Sequence, residues 1–255
     1  MQTKLLTLVA AVCLLGIPAY AHAQADEIQV YDGDLTPPGK FNLTWHNNYT
    51  PNGIATPAFP GANIADKSFN GVTEWAYGVT QWFEAGLYLP LYSHDKINGG
   101  TYDGFKLRAL FAVPHAQDRR FFYGANFEFS INQKNWDENR FSSEIRPIIG
   151  WHLKPWDIII NPILDTEYDG VKNLVFAPAS RIAYNFNDRW ALAAEEYGDY
   201  GPVHDLAGAS DQSHMLYGVV NHTLKFFEIE AGVGFGLTSA SDKMTVKLLV
   251  IKDLN

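Results

Sequence analysis

The chain has 255 residues, of which 47% are hydrophobic and 18% charged, and its formal net charge is −9. Nucleic-acid binding requires a basic surface, so this acidic balance predicts no nucleic-acid partner. The single cysteine, Cys13, lies in an apolar N-terminal stretch, so the rest of the chain has no disulfide and no zinc-thiolate site. Beyond that stretch, no segment approaches the ~18 uninterrupted apolar residues that a membrane-spanning helix needs.

The N-terminal residues have the pattern of a secretory signal. Lys4 supplies a positive charge, residues 5–17 are apolar, and Ala21-His22-Ala23 fits a cleavage site, so residues 1–23 are interpreted as a signal peptide. Residues 24–38 form an acidic segment without a helix or strand periodicity. The segment is interpreted as a periplasmic lead-in, and the alternative is a plug inserted in the barrel. Residues 39–255 then form one domain.

After residue 39, apolar and polar residues alternate repeatedly. Phe41, Leu43 and Trp45 share one face of a predicted strand, and the polar residues between them share the other. The same alternation recurs in eleven further runs. It predicts an all-β fold, a transmembrane antiparallel up-and-down β-barrel of about 12 strands. After the strands near residues 43, 77 and 87, the others are centred near residues 107, 127, 145, 160, 182, 192, 219, 231 and 246.

The connections between these strands alternate in length and composition. Those near residues 81, 116, 154, 188 and 225 are short, and the connections between them are longer and polar. Outer-membrane barrels have short periplasmic turns, longer extracellular loops and aromatic girdles at the membrane interfaces. The short connections are flanked by the residues of a predicted girdle: Trp82, Phe83, Phe121, Phe122, Trp151, Trp156, Phe186, Trp190, Phe226 and Phe227. Both chain ends are predicted on this periplasmic side.

Four prolines interrupt the predicted strands. Pro90, Pro147, Pro162 and Pro178 each lack the backbone N–H that a strand donates to its neighbour, so they are interpreted as bulges or strand ends.

The non-lipid face of the strands carries charges that can be paired. Turn positions predict Lys106 opposite Glu128 and Arg181 opposite Glu195, while Glu144 and Arg146 share one face of a strand. These six residues are the predicted lumen lining. One interpretation is an internally neutralised filling, which is favoured because small barrels are commonly filled by side chains. The other is a lining that selects ions or solutes.

Signals for catalysis are weak. Ser210, Asp211 and His214 have hydrolase residue types but lie on one loop, where a nucleophile and its base seldom meet. We therefore predict no catalytic residues, no cofactor and no metal site. Acids of the long connections could meet divalent ions at the lipopolysaccharide surface, although solvated loop charge is the favoured interpretation: Asp66, Asp95, Asp137, Glu138, Asp205 and Asp211.

One hairpin resembles a known family. The run from Trp75 to Leu91, WAYGVTQWFEAGLYLPL, is similar to a hairpin of the outer-membrane barrels associated with the MetA pathway of phenol degradation. The run from Glu144 to Trp151, EIRPIIGW, resembles related barrels. The resemblance implies an outer-membrane protein, a channel for aromatic or other small compounds. Many such barrels end in an aromatic residue, whereas this chain ends in Asp253-Leu254-Asn255.

These observations lead to one functional expectation and two alternatives. We expect a passive channel or transporter for small solutes in the cell outer membrane, in contact with membrane lipid, lipopolysaccharide and the barrel assembly machinery. The alternatives are a lipid-modifying enzyme of the outer membrane and a structural or adhesion barrel that acts through its loops.

Overall fold

The computed structural model describes residues 27–254, and the predicted signal peptide lies outside the described residues. These residues form fourteen β-segments and two short 3₁₀ turns, Ala116–Asp118 and Val171–Asn173. The segments are β1 Phe41–Asn52, β2 Ser68–Gly78, β3 Phe83–Asp95, β4 Gly99–Ala112, β5 Phe121–Asn132, β6 Phe141–Leu153, β7 Trp156–Asn161, β8 Leu164–Thr166, β9 Val175–Phe176, β10 Ala179–Asn187, β11 Trp190–Asp199, β12 Ser213–Thr223, β13 Glu228–Gly236 and β14 Met244–Asp253. Within the described residues, no helix is long and apolar enough to cross a membrane.

The segments close into a ring in which every neighbouring pair is antiparallel. β7 and β8 both pair with β6 and together form one strand, and β9 and β10 form the next. β14 pairs with β1 and closes the sheet. The predicted barrel of about 12 strands is thereby confirmed, with each predicted strand at its expected place. A closed ring leaves no free sheet edge, so the strands satisfy one another's backbone groups.

Side chains alternate between the two faces of this wall. Along β1, Phe41 and Trp45 are exposed, whereas Thr44, His46 and Asn48 are buried. Successive side chains of a strand point to opposite faces, so the apolar residues form the outer surface and the polar residues face the lumen. The outer surface is therefore a band of exposed apolar side chains around a polar interior, as in barrels that span membranes.

The connections differ between the two ends of the barrel. At one end lie residues 79–82, 113–120, 154–155, 188–189 and 224–227, called here the short connections, and at the other end lie 53–67, 96–98, 133–140, 167–174, 200–212 and 237–243, called the long connections. The predicted contrast in length fails at two of them, because 96–98 has only three residues and 113–120 has eight. The longest, residues 53–67, folds across its end of the barrel. Its Asn63 donates from the backbone N to the Asn135 carbonyl over 2.8 Å, and Ile64 is only 1% exposed.

Residues 27–36, called here the N-terminal segment, lie inside the barrel. Ile28, Val30 and Tyr31 are at most 6% exposed. The segment enters beside the short connections, where the Gly39 backbone N donates to the Gly78 carbonyl over 2.8 Å. The predicted lead-in outside the barrel is wrong for these residues, and the plug is the arrangement seen. The reason is that lumen side chains bind the segment's backbone groups.

Three of the four prolines lie side by side in neighbouring strands. Ile149 pairs with Ile160 and Ile145 with Leu164, so Pro147 falls opposite Pro162. The pairing of β7 and β8 with β10 and β9 likewise puts Pro162 opposite Pro178. We call Pro147, Pro162 and Pro178 the proline row.

The predicted role of the prolines as bulges or strand ends is confirmed at three of the four positions. Pro90 lies in an irregularity of β3, where the register with β4 shifts between Tyr88 and Leu91. Pro162 and Pro178 each separate two segments of one strand. The prediction is wrong for Pro147, which stays within continuous pairing of β6 with β5, opposite Ala125. In the ladder, the backbone nitrogen of residue 147 faces the strand formed by β7 and β8 and not β5. The pairing with β5 therefore loses no hydrogen bond, and on the other side Pro162 already interrupts the strand.

Candidate functional site: the charged lumen

The lumen contains charged side chains in ion-paired clusters rather than spread along the wall. The first, the Lys247 cluster, comprises Arg181, Glu195, Glu230 and Lys247. The Lys247 ammonium donates to Glu230 Oε1 over 2.6 Å and also to Glu195. Arg181 donates to Glu195 and lies 3.3 Å from Glu230 Oε2. Two cations thus neutralise two carboxylates, which is how buried charge is accommodated away from water.

The second, the Arg108 cluster, joins β1–β4 and comprises His46, Glu74, Glu84 and Arg108. Arg108 Nη1 lies 2.9 Å from Glu74 Oε1, and Arg108 Nη2 donates to Glu84. Glu74 also lies 3.0 Å from His46 Nε2. All four residues are at most 7% exposed, so a single guanidinium holds two carboxylates in the interior.

The third, the Glu128 cluster, comprises Lys106, Glu128, Glu144 and Arg146. Glu128 and Glu144 are directly opposite each other on β5 and β6, an arrangement of like charges that is unfavourable by itself. Lys106 Nζ lies 3.4 Å from Glu128, and Arg146 donates two hydrogen bonds to Glu144, of 2.7 and 2.8 Å. Each carboxylate of the pair thus has a cation beside it, and Arg146 also lies 3.6 Å from Glu27 Oε1 of the N-terminal segment.

The N-terminal segment runs through these clusters and is held by all three through its backbone. Lys247 donates to the Ile28 carbonyl over 3.1 Å, and Arg146 donates to the Gln29 carbonyl over 3.0 Å. The Thr36 backbone N donates to Glu84 over 2.6 Å. The lumen charges thus have a second role, because they also satisfy backbone groups of the chain that fills the lumen.

Tyr31 is the most extensively bound residue of the segment. The Asn161 side chain accepts from the Tyr31 backbone N over 2.7 Å and donates to its carbonyl over 3.0 Å. The Tyr31 hydroxyl is hydrogen-bonded to that of Tyr88, and the Arg146 guanidinium lies 4.4 Å from the ring centroid. Val30 and Tyr31 also pack on an apolar strip of the lumen wall that includes Ile148, Ile159, Ile163 and Ala179.

The six lining residues predicted from sequence all take part in these clusters, with one register difference. Arg181 is opposite Glu195 in the register of β10 and β11. Lys106, however, is opposite Ser130, and Glu128 is opposite Arg108. The 3₁₀ turn at Ala116–Asp118 moves the symmetry centre of this hairpin by one residue from its expected position, which shifts the pairing by two. Lys106 still reaches Glu128 diagonally.

Several lumen residues were not predicted, although alternation could have identified some of them. Arg108 is two residues from Lys106 on β4 and therefore shares its face, and Glu74 lies on the inward face of β2. Lys247 is 0% exposed and lies between the outward-facing Val246 and Leu248. The binding of the N-terminal segment had no local signal, because its partner Asn161 is 130 residues away in the chain.

Most of the predicted girdle side chains lie at the outer surface beside the short connections. Phe122 is the exception, because it is fully buried and its ring stacks on His152 with centroids 4.6 Å apart. Its neighbour Phe121 takes the outward direction, and adjacent residues of a strand cannot share a face. The others are exposed or half-buried: Trp82, Phe83, Phe121, Trp151, Trp156, Phe186, Trp190, Phe226 and Phe227.

The loop residues considered for hydrolysis do not meet as a catalytic set. His214 Nδ1 lies 2.9 Å from Glu196 and its Nε2 lies 3.1 Å from Gln212. Ser210 is instead hydrogen-bonded to Asp211, its neighbour in sequence. In residues 27–254, no group of three or more potential ligands is arranged to hold a metal ion.

Polar contacts, some buried and some exposed, connect the loops at the long-connection end. The Asp103 carboxylate accepts hydrogen bonds from Asn63, Asn135 and Thr101, over 3.1, 2.5 and 2.7 Å. Lys96 donates to Asp66 over 2.9 Å, and this hydrogen bond lowers the pKa of the Asp66 carboxyl below its ordinary value. Residues 53–67 are thereby attached to neighbouring loops across the mouth of the barrel.

Comparison with known proteins identifies the fold. No protein-family model matches the chain, and no curated protein matches it. Among solved structures, an outer membrane channel from Pseudomonas putida F1 has a TM-score of 0.60 at 14% identity, covering 89% of this chain and 100% of that chain. The KdgM porin, solved in complex with disordered oligogalacturonate, has a TM-score of 0.53 at 8% identity, covering 84% and 99%. The CymD monoaromatic hydrocarbon channel has a TM-score of 0.50 at 8% identity, covering 86% and 89%. At such low sequence identities, these similarities show a shared fold and nothing about the solute.

Proposed function

We propose that this protein is a passive channel of the outer membrane for small solutes and that the N-terminal segment closes it. The observation that carries the proposal is a closed wall with an apolar outer surface around a charged lumen. The lumen is filled at its centre by a segment that is continuous with the wall only through residues 37–40. Because hydrogen bonds, ion contacts and packing hold the rest of that segment, it can leave while the wall stays closed.

The outer-membrane location is supported by the exterior of the barrel. Exposed apolar side chains cover the wall, and aromatic side chains flank the short connections, as at the interfaces of bacterial outer-membrane barrels. The solved barrels that share this fold include an outer membrane channel and a porin. The corresponding partners are membrane lipid, lipopolysaccharide at the long-connection end, and the barrel assembly machinery.

The proposed solutes are small and include aromatic compounds. This part of the proposal relies on the hairpin from Trp75 to Leu91, which resembles barrels associated with phenol degradation. CymD, one of the barrels with this fold, is described as a monoaromatic hydrocarbon channel. An enzymatic role is not proposed, because Ser210 is hydrogen-bonded to Asp211, Ser213 to Ser241, and the ring of His214 to Glu196 and Gln212.

Conductance in planar bilayers tests the proposal. The full chain is compared with a variant that lacks residues 27–36 but keeps Pro37-Pro38-Gly39 and all strands. The wild type should show low conductance with brief openings, and the deletion variant a larger and steady one, because removal of the segment frees the central lumen. If both proteins insert and neither conducts, the lumen is a permanently filled interior and the channel proposal is wrong.

A further inference from the structure

The short and the long connections of the barrel differ in charge. The short connections carry five cations and two acids, whereas the long connections carry six cations and eight acids. In a chain with a formal net charge of −9, this excess of cations in the short connections is a local feature that the composition does not require. The cations of the short connections are Arg119, Arg120, Lys154, Arg189 and Lys225.

Three of these cations line one cleft at the rim. The cleft has a volume of about 500 Å³ and lies between connections 113–120 and 154–155, where Arg119, Arg120, His152 and Lys154 line it together with Gln117, Asp118 and Leu153. The His152 backbone N donates to the Arg120 carbonyl over 3.0 Å and fixes the two walls together. The Arg119 Nε donates to the Pro114 carbonyl over 2.8 Å. Among the described residues, Arg119, Arg120 and Lys154 form no ion pair.

The cleft adjoins the aromatic part of the outer surface. Phe121 and Trp156, which follow the two connections in sequence, are 48% and 47% exposed. The rings of Phe121 and Trp151 lie 5.6 Å apart on adjacent strands. Aromatic side chains at a barrel rim lie at the level of the lipid headgroups, so the three cations are at the depth of the lipid phosphates.

We propose that this cleft binds the phosphate headgroup of an anionic glycerophospholipid in the adjoining leaflet. Arginine matches a phosphate through two parallel N–H donors, and lysine adds a point charge. His152 Nδ1 lies 2.6 Å from the Asp157 carboxylate, which fixes the ring at the cleft wall. Phe121 and Trp156 point to the outward face of the wall, whereas the His152 ring stacks on Phe122 on the lumen face, so the headgroup would bend over the rim into the cleft while the acyl chains lie along the two outward rings. The inference depends on membrane insertion, which is part of the proposed function, but not on conduction through the lumen.

Native mass spectrometry of the full chain in a nonionic detergent tests this site. The probe is dioctanoyl phosphatidylglycerol, compared with dioctanoyl phosphatidylcholine and with inorganic phosphate. The test variant is Arg119→Gln/Arg120→Gln/Lys154→Gln. The control is Lys134→Gln/Arg140→Gln/Lys172→Gln, which removes three cations from the other end of the same part of the wall. A heat-dependent mobility shift confirms that each variant is folded, and the single substitutions replace any triple variant that is not.

The wild type and the control should bind phosphatidylglycerol equally and more tightly than phosphatidylcholine. The test variant should bind about a hundredfold more weakly, from roughly fivefold for each cation removed. Equal weakening in both triple variants would mean bulk attraction without a site and would overturn the proposal. Displacement of the lipid by inorganic phosphate at similar concentration would indicate a site for the free anion instead of the lipid. Absence of conductance in bilayers leaves this result unaffected.

Discussion

Lys247 is the cation on which the charge balance of one side of the lumen depends. It is 0% exposed and contacts Glu195, Glu230 and the Ile28 carbonyl. Replacing it with methionine keeps the volume but leaves one cation, Arg181, for two buried carboxylates. Loss of one partner of a buried ion pair costs about 3–5 kcal/mol. We therefore expect Lys247→Met to lower the free energy of unfolding by that amount.

Urea unfolding in lipid vesicles, followed by tryptophan fluorescence, measures this effect. The matched control is Lys252→Met, which removes a cation from the exposed end of the same strand and should change stability by less than about 1 kcal/mol. Similar stabilities of the two variants would show that water reaches Glu195 and Glu230 and that the cluster is not desolvated.

At the residue scale, the site was predictable where turns are tight and strand alternation is regular. The hairpin at residues 187–190, which has a one-residue irregularity between Asn185 and Asn187, puts Arg181 opposite Glu195 as predicted, and Glu144 and Arg146 share a strand face. The Lys106 register could not be predicted, because it depends on the 3₁₀ turn before Arg119. Nor could local sequence show that Arg108 binds two carboxylates, since Glu74 and Glu84 lie on other strands.

The N-terminal segment is the element whose position determines whether the lumen is open. Asn161 holds it by two hydrogen bonds to the Tyr31 backbone and is itself 0% exposed. Asn161→Ala leaves both backbone groups unsatisfied, at a cost of about 1–3 kcal/mol. We expect the open probability of single channels to rise about tenfold in planar bilayers.

Asn185→Ala is the control for this prediction. Asn185 donates to Asp157 over 2.5 Å and, among the described residues, makes no hydrogen bond to the N-terminal segment. Its replacement should leave the open probability near that of the wild type. Equal opening of both variants would point to a general loosening of the wall.

The outward face of β5 tests the depth of the membrane-embedded band. Phe127 lies in the middle of this strand and is 43% exposed, whereas Phe226, in a short connection, is 69% exposed. Arginine at the bilayer midplane costs about 2–4 kcal/mol, and near the interface about 0–1 kcal/mol. We expect Phe127→Arg to destabilise the inserted barrel, or to hinder its assembly, far more than Phe226→Arg. The reverse order in vesicle unfolding would shift the band toward the short connections.

The long connection 53–67 should loosen in acid. The hydrogen bond from Lys96 lowers the pKa of Asp66, so the contact stabilises the attached loop above about pH 4 and is lost as the pH falls below the lowered value. Pepsin cleavage within residues 53–67 should therefore accelerate as the pH falls from 4 to 2. Lys96→Gln should cleave rapidly already at pH 4, and a rate without pH dependence in the wild type would contradict the prediction.

At the element scale, all twelve strands could be predicted from the alternation of apolar and polar residues. Each strand has one face toward lipid and one toward the lumen, so its residues alternate in polarity with a period of two. The N-terminal segment has no such contrast. Ile28, Val30 and Tyr31 are buried by lumen groups from distant strands, and the acidic residues that flank them, Glu27, Asp32 and Asp34, resemble those of a solvated leader. Its placement is a tertiary property and therefore could not be predicted from the local pattern.

The whole barrel should resist detergent as a unit, because its first and last strands pair along β1 from Asn42 to Asn52. Without a free edge, sodium dodecyl sulfate cannot separate strands one at a time. We expect the unheated protein to migrate faster on detergent gels than the heated one, and the purified fraction to come from the outer membrane. A single mobility at both temperatures would contradict a closed ring.

The proline row also has a consequence for how the wall yields. Gly198 donates to the Pro178 carbonyl over 2.9 Å, and alternation along the row makes the facing Pro147 and Pro162 a pair that should exchange two hydrogen bonds. Neither has an N–H, so their two carbonyls face each other across the ladder without a donor. The barrel wall therefore lacks two backbone hydrogen bonds at one height on one side. When thermal motion or lateral pressure distorts the barrel, the wall should bend first at this height, beside the apolar strip on which Val30 and Tyr31 pack.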